Sequence, residues 1–465
     1  MLIYDKGWEI RNLNMQQRIP TISNIIMMGD SLSDRGTMYK RQLFGLIPMS
    51  KLSGLQGRSP RGRFTNGYVW SDHLSSMLIN AFVIQRIKKE LKTLATPNDI
   101  ADAIITHHEK IKKLVDQSYS LDNDQFINFL NDQDFVRNYD EGGLTAHDYS
   151  WVLSKSISRF FSRLILSTLA HKRSDLLAYD SKYHLSARHK AQTLIIEWSG
   201  ANDLITVNEK PSKDEADYAI KDRIHNIAQL INHGYRHFSL LSLPDLSLTP
   251  RYQLMDKKER DNAHYISQYF NQKLKAECEK LQSQYPDCTI RVLDINTKFN
   301  EVYQNPGQYR FDKEKLTKPF SKSDDFKKMK SPVKNTRPSA CYMFWDDVHP
   351  TMDMQILLAE EIYKLYKKQY RFVEPEQYSA EALCHTFKKK YVNQLNHHQA
   401  QHQLFGLFSH SNFDDRDIIA QILKQASYDG EKYIRDIITE LGWIDKNKQL
   451  NPNIPVLKKA LNLKY

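Results

Sequence analysis

The sequence predicts an α/β fold in which a parallel sheet is covered by helices on both faces, with a helical insert and a small helical C-terminal appendage. Three observations predict it. Short apolar runs of strand length alternate with longer amphipathic stretches of helix length. Several of those runs stop at a small residue followed by polar side chains, which is how strands end where sites collect in a parallel sheet. Two polar, helix-forming stretches, 84–135 and 373–465, stand outside the alternation.

Taken in order, residues 1–21 form an N-terminal extension and 22–372 the main domain. The first buried strand is the run Ile25-Ile26-Met27-Met28, broken by Gly29-Asp30-Ser31-Leu32-Ser33-Asp34. A loop rich in Gly, Ser and Arg (45–67) leads to a helix starting near Tyr68. In the insert, Ile100, Ile104, Ile111, Leu114 and Val115 recur at helical spacing with few turn signals, and it reads as a lid, a partner surface or a plain surface elaboration. Asn138-Tyr139-Asp140-Glu141-Gly142-Gly143-Leu144-Thr145 is then a glycine pair between helical stretches, the second (149–177) carrying Trp151, Phe160, Phe161, Leu164 and Leu166. A strand at 193–198 ends in Ser199-Gly200-Ala201-Asn202-Asp203. Helix 215–233, strand 238–243, helix 260–284 and strand 289–293 follow. The basic loop 317–339 precedes Phe344-Trp345-Asp346-Asp347-Val348-His349-Pro350 and a helix over 351–370. Beyond residue 372 the composition becomes Gln- and His-rich and then shows two compact helical patterns, the last ending at Gly442.

At 465 residues the chain can bury a large core, and 40% hydrophobic with 26% charged residues is a globular composition. No apolar run has the length of a membrane-spanning helix, and the first twenty residues lack the apolar centre of a cleavable signal. A cytoplasmic protein, or one exported into a host cell by a dedicated bacterial secretion system, is expected. Four cysteines without close pairing favour free buried thiols. The net charge of +11 lies in dispersed clusters with no base-stacking motif, which argues against nucleic acid and leaves peripheral contact with an anionic membrane open.

Acyl transfer needs a nucleophile, a base, a group that orients the base, and donors aimed at the developing oxyanion. Ser31 fits the nucleophile and His349 the base, with Asp346 three residues earlier to hold the other ring nitrogen. Of the adjacent carboxylates, Asp347 is expected to face solvent or cap the helix near Thr351. The N–H groups of Ser31 and Gly143 with the side-chain amide of Asn202 make a three-donor oxyanion hole.

Those blocks resemble the GDSL, or SGNH, hydrolase family: Gly29-Asp30-Ser31-Leu32, Gly143, Gly200-Ala201-Asn202-Asp203 and Asp346-Asp347-Val348-His349 stand in its order. The flanks Gly62-Arg63-Phe64-Thr65-Asn66-Gly67 with Trp70, Leu243-Pro244-Asp245-Leu246 and His349-Pro350-Thr351 are similar to bacterial phospholipase, lysophospholipase and acyltransferase members. The resemblance spans 22–370 and implies a flavodoxin-like three-layer fold, lipid or other ester substrates and no cofactor or metal. It also implies Gly143, rather than its rival Gly142, as the backbone donor. The family usually has Ala where this chain has Asp140, followed by Glu141, and a carboxylate there could oppose charge developing in the oxyanion hole.

Other candidates carry plainer alternatives. His397, His398 and His402 offer a zinc-like i,i+4 pair without a further ligand at the right spacing, and His107-His108 reads as an exposed polar helix. Asp30 and Asp34 suit turn or helix-start hydrogen bonding. Arg63 and Trp70 fit either the acyl site or core packing. The functions expected are a serine esterase on lipid acyl esters, with transfer to an alcohol acceptor as a variant; a carbohydrate or small-ester deacetylase; or a silent fold used as a binding module. The oligomeric state is open.

Overall fold

The computed structural model describes residues 19–375, apart from 44, 56–58, 92–95, 97, 100, 102–108, 131–132, 153–155, 157–161, 183–184, 209 and 329–337. At its centre is a six-stranded sheet: β1 (Asn24–Gly29), β2 (Phe126–Phe129), β3 (Gln133–Asn138), β4 (Thr193–Trp198), β5 (His237–Leu241) and β6 (Thr289–Leu293), in the spatial order β2-β3-β1-β4-β5-β6. All neighbours run parallel except the edge strand β2, which is antiparallel to β3. Every residue of β1 and β4 is buried, as expected of central strands covered on both faces. From β1 the chain steps to β3 on one side and then to β4 on the other. The order reversal therefore opens a crevice at the C-terminal ends of β1 and β4.

The helices used below are α1 (Trp70–Glu90), α2 (Glu109–Asp116), α3 (Leu169–Lys182), α4 (Ala201–Ile205), α5 (Lys213–Asn232), α6 (Lys257–Gln284), α7 (Ile295–Gln304) and α8 (Met352–Gln369), with shorter helical turns elsewhere. Two polar contacts fix the layers. Tyr366 of α8 donates to Ser239 on β5 at 2.7 Å, whereas Arg223 of α5 pairs with Glu197 on β4. In register, Ser239 lies opposite Ile196 and Leu240 opposite Glu197, so the two contacts reach opposite faces. Helices α1 and α7 pack on α8, and α3 and α6 pack on α5, which completes three layers. Both ions of the Arg223–Glu197 pair are fully buried, and Arg223 also donates to the Leu241 carbonyl, as a desolvated guanidinium requires. Cys278 and Cys288 are buried free thiols.

The structure departs from the sequence expectation in three places. Within 84–135, residues up to Glu90 complete α1, the described residues 98, 99 and 101 and α2 are helical, and Phe126–Phe129 is a strand. Its residues alternate between half-buried and buried, a period-two pattern too short to register beside the helical spacing before it. The glycine pair at 142–143 consequently follows a strand, β3. Within the amphipathic stretch 149–177 the described residues are helical at 162–165 and again from Leu169, and Trp151 is exposed rather than core. Thr21–Ile22 pairs in parallel with Arg371–Phe372, joining the two ends of the main domain. The proposed appendage beyond residue 375, His107-His108 and His397, His398 and His402 lie outside the described residues.

Candidate active site

Ser31 sits immediately past β1, in a turn that β1 enters through Gly29. A Cβ at Gly29 would lie 2.6 Å from the Trp198 carbonyl oxygen of β4, so only glycine lets the strands stay paired up to the serine. Asp30 accepts the Leu32 N–H at 3.0 Å and tightens the turn. Asp34 does more: it accepts the N–H groups of Gly36, Thr37 and Met38, and that of Gly142 from the loop after β3.

The loop before α8 brings up the other members. Trp345 donates its N–H to the His349 carbonyl at 2.7 Å, closing a tight turn. Inside it, Asp346 Oδ1 accepts the N–H groups of Val348 and His349, and Oδ2 meets His349 Nδ1 at 2.7 Å. His349 Nε2 lies 2.6 Å from Ser31 Oγ. Asp346 and His349 thus face each other through a side-chain-capped turn, not a helical one. Asp347 neither caps α8 nor stands free. It pairs with Arg251 at 2.9 Å, and Arg251 N–H donates to the Asp347 carbonyl. Thr65 donates to the Pro350 carbonyl and Asn66 accepts the Met352 N–H, strapping the loop to the segment carrying Phe64. The Phe64 ring lies 5.0 Å from that of His349.

Ser31, Gly143 and Asn202 line the same cavity. Gly143 has φ +77°, and a Cβ there would lie 2.5 Å from Leu166. Its N–H and that of Ser31 meet no acceptor among the described residues, while the Gly142 N–H is held by Asp34. That occupancy separates the two glycines: Gly143 is the one free to donate. Asn202, at the start of α4, has its amide oxygen held by Thr206 and one amide hydrogen by the Leu144 carbonyl. The second amide hydrogen remains for a ligand. Next to it Asp203 accepts the N–H groups of Ala146 and His147, anchoring the same loop.

Residues 25–362 match the family of the GDSL-like lipases and acylhydrolases, most of the chain. The chain belongs to that family. It is 25% identical over 393 residues to a phosphatidylcholine-sterol acyltransferase of Aeromonas hydrophila, covering 76% of this chain and 93% of that protein. It is 24% identical over 336 residues to the secreted effector protein SseJ of Salmonella typhimurium, covering 72% and 61%. It is 29% identical over 210 residues to the anther-specific proline-rich protein APG of Arabidopsis thaliana, covering 40% and 39%.

Neither Asp140 nor Glu141 lines the cavity of the site. Glu141 turns to Arg41 and Lys172 and accepts from Ser167 at 2.8 Å; burial alone would raise its pKa, but the two cations hold it low. Asp140 is buried without a hydrogen-bond partner, and burial followed by the charges of Asp34 and Asp30 keeps its carboxyl well above the usual range. Burial therefore favours its protonated form. Burial likewise pushes Asp30 and Asp34 up to about 6. Burial pulls His349 down, but the charge and hydrogen bond of Asp346 more than reverse this, and the imidazole ends above its ordinary value.

The site opens into a cavity of about 730 Å³. One wall is apolar, with Met38, Met49, Leu55, Phe64, Ile165 and Leu166; the other carries Thr206, Thr249, Arg251 and Lys322. Arg63 and Trp70 do not line it. Arg63 and Arg35 clamp buried Asp72, and Trp70 packs edge-on against Trp198 while donating to Ser33. Sequence reasoning missed Arg251, whose bond to Asp347 joins residues 96 apart, and gave Asp34 too small a part. An Asp three residues after the serine was the available signal. Among the described residues no group of three or more His, Cys, Asp or Glu is placed to hold a metal ion.

Proposed function

We propose that the protein is a serine esterase acting on lipid acyl esters through an acyl-enzyme. The observation that carries this is the unbroken relay Ser31–His349–Asp346, with contacts of 2.6 and 2.7 Å, at the edge of an apolar cavity. Ser31 Oγ attacks the ester carbonyl as His349 Nε2 takes its proton, and Asp346 stabilises the imidazolium. The N–H groups of Ser31 and Gly143 and the Asn202 amide receive the oxyanion. His349 then protonates the departing alcohol. In the second half, His349 deprotonates water, which attacks the acyl-enzyme and releases the fatty acid and Ser31. An acceptor alcohol such as a sterol in place of that water gives transfer, and the Aeromonas relative's name supports including it. The apolar wall favours long acyl chains over the acetyl group of a deacetylase.

The test is a lipid-class hydrolysis screen with wild type beside Ser31→Ala, together with fluorophosphonate labelling. Release of fatty acid and labelling by wild type alone are expected. Turnover by pure, folded Ser31→Ala, or no labelling of wild type, removes the serine mechanism.

A further inference from the structure

Two segments that line the cavity, through Met49 and Leu52 and through Ile165 and Leu166, also carry large exposed apolar side chains. Gln42–Leu43 and Ile47–Pro48 form a small antiparallel hairpin that lifts Leu46, 83% exposed, and Ile47 into solvent. The helical turn Met49–Leu52 follows, with Met49 in the cavity wall and Leu52, 56% exposed, at the mouth. A second segment supplies Trp151, 91% exposed, Val152 and Leu164. The two segments are joined: Arg41, at the base of the hairpin, donates to the Ile165 carbonyl at 2.7 Å, and Arg163 donates to that of Val152 at 2.9 Å. Scattered exposed leucines need no explanation, but a contiguous group around one opening does.

The charge pattern says what covers it. Neither 42–55 nor 149–166 contains a single Asp or Glu, while they carry Lys51, Lys155, Arg159 and Arg163. Lys51, between Met49 and Leu52, and Lys322, on the opposite cavity wall, are exposed and form no ion pair among the described residues. Apolar tips beside unpaired cations suit a surface that is anionic outside and hydrocarbon within. The one exposed carboxylate directly beside these segments, Asp148, accepts the Ser150 N–H, so the two segments themselves offer a folded protein partner cations and apolar tips only.

We propose that this rim is a docking surface for an anionic phospholipid bilayer, with Leu46 and Trp151 entering the acyl layer. An acyl chain then passes from the bilayer along Leu52 and Met49 to Ser31 without crossing water. The direction of that passage rests on the esterase function proposed above; the docking itself does not.

Trp151 is its own reporter. Of the six tryptophans, Trp70, Trp198 and Trp345 are buried, and subtracting the spectrum of Trp151→Phe isolates the signal. The full chain is mixed with phosphatidylcholine vesicles, with and without phosphatidylserine, some carrying brominated acyl chains. Expected are a blue shift of Trp151 emission and quenching by brominated chains in the phosphatidylserine vesicles. A Leu46→Ser/Ile47→Ser variant should bind these vesicles at least about tenfold more weakly, since each apolar side chain kept in water forfeits its transfer free energy. It should still hydrolyse a soluble short-chain ester, because neither residue lines the cavity. Vesicle binding with Trp151 unquenched, or undiminished binding of the double variant, overturns the docking surface. Equal quenching in phosphatidylcholine alone overturns the charge argument. Binding and quenching without any ester hydrolysis would instead sink the esterase function and leave the docking surface standing.

Discussion

The carboxylate of Asp34 accepts the backbone N–H of Gly142 at 2.8 Å, tying the turn that carries Ser31 to the loop that carries Gly143. The same carboxylate holds three N–H groups of its own segment. In Asp34→Asn an amide NH₂ must oppose two of those four donors. Turnover should fall by at least about tenfold with little change in KM, because a displaced Gly143 weakens charge stabilisation more than substrate binding. Stability should drop by about 1–3 kcal/mol for the broken buried hydrogen bonds. Steady-state kinetics with a denaturation curve checks both; a rise confined to KM would assign Asp34 to binding.

On the function proposed above, Asn202→Ala removes one oxyanion donor, an amide that Thr206 and Leu144 already hold in place. The expected loss is about a hundred- to a thousandfold in kcat. It is measured on one ester at saturating concentration, and a loss under tenfold would take Asn202 out of the oxyanion hole.

Asp346 and Asp347 are neighbours in sequence with different partners, His349 and Arg251. Asp346→Asn should cut kcat by about four orders of magnitude, because the amide cannot hold the Nδ1–H tautomer or stabilise the imidazolium. Asp347→Asn loosens only the contact with Arg251 and should stay within about tenfold. Equal losses in the two variants would show that the relay is assigned to the wrong carboxylate.

The pH profile follows from the same contact. Only neutral His349 accepts the Ser31 proton, so the rate falls as pH drops through the His349 pKa. Asp346 raises that pKa above the ordinary 6.5, placing the acid limb above it. In Asp346→Asn the residual activity should show this limb at lower pH, because burial, which disfavours the imidazolium, is then less opposed. An unmoved limb would mean that another group titrates.

Asp140 bears on stability. Unfolded, its carboxyl loses a proton near 3.8; folded, it keeps that proton to much higher pH. Between those values the folded state binds more protons, so this group's effect on stability worsens as pH rises. Asp140→Ala should therefore be more stable than wild type at pH 8, with the gain fading by pH 4. Denaturant melts at the two pH values decide it, and a gain independent of pH would point to packing instead.

The sequence by itself determined the strand–helix alternation, the order of the four blocks, and which serine, histidine and asparagine would meet at one sheet edge. It could do so because strand and helix periods, and residues such as Gly29 that let a strand run closely paired up to its end, are properties of neighbours along the chain. Packing decided the rest. Gly143 was separated from Gly142 by a carboxylate 108 residues away, Asp347 gained a partner in an arginine 96 residues away while staying partly exposed, and Phe126–Phe129 was separated from the helical insert by the strand it pairs with. Glu141 and Asp140 were made harmless by different routes, one by two cations and the other by burial as an acid. Trp151 was left outside the core although the apolar spacing around it reads as one face of a helix. Each of these outcomes turns on which distant groups share a space, and no local pattern carries that information.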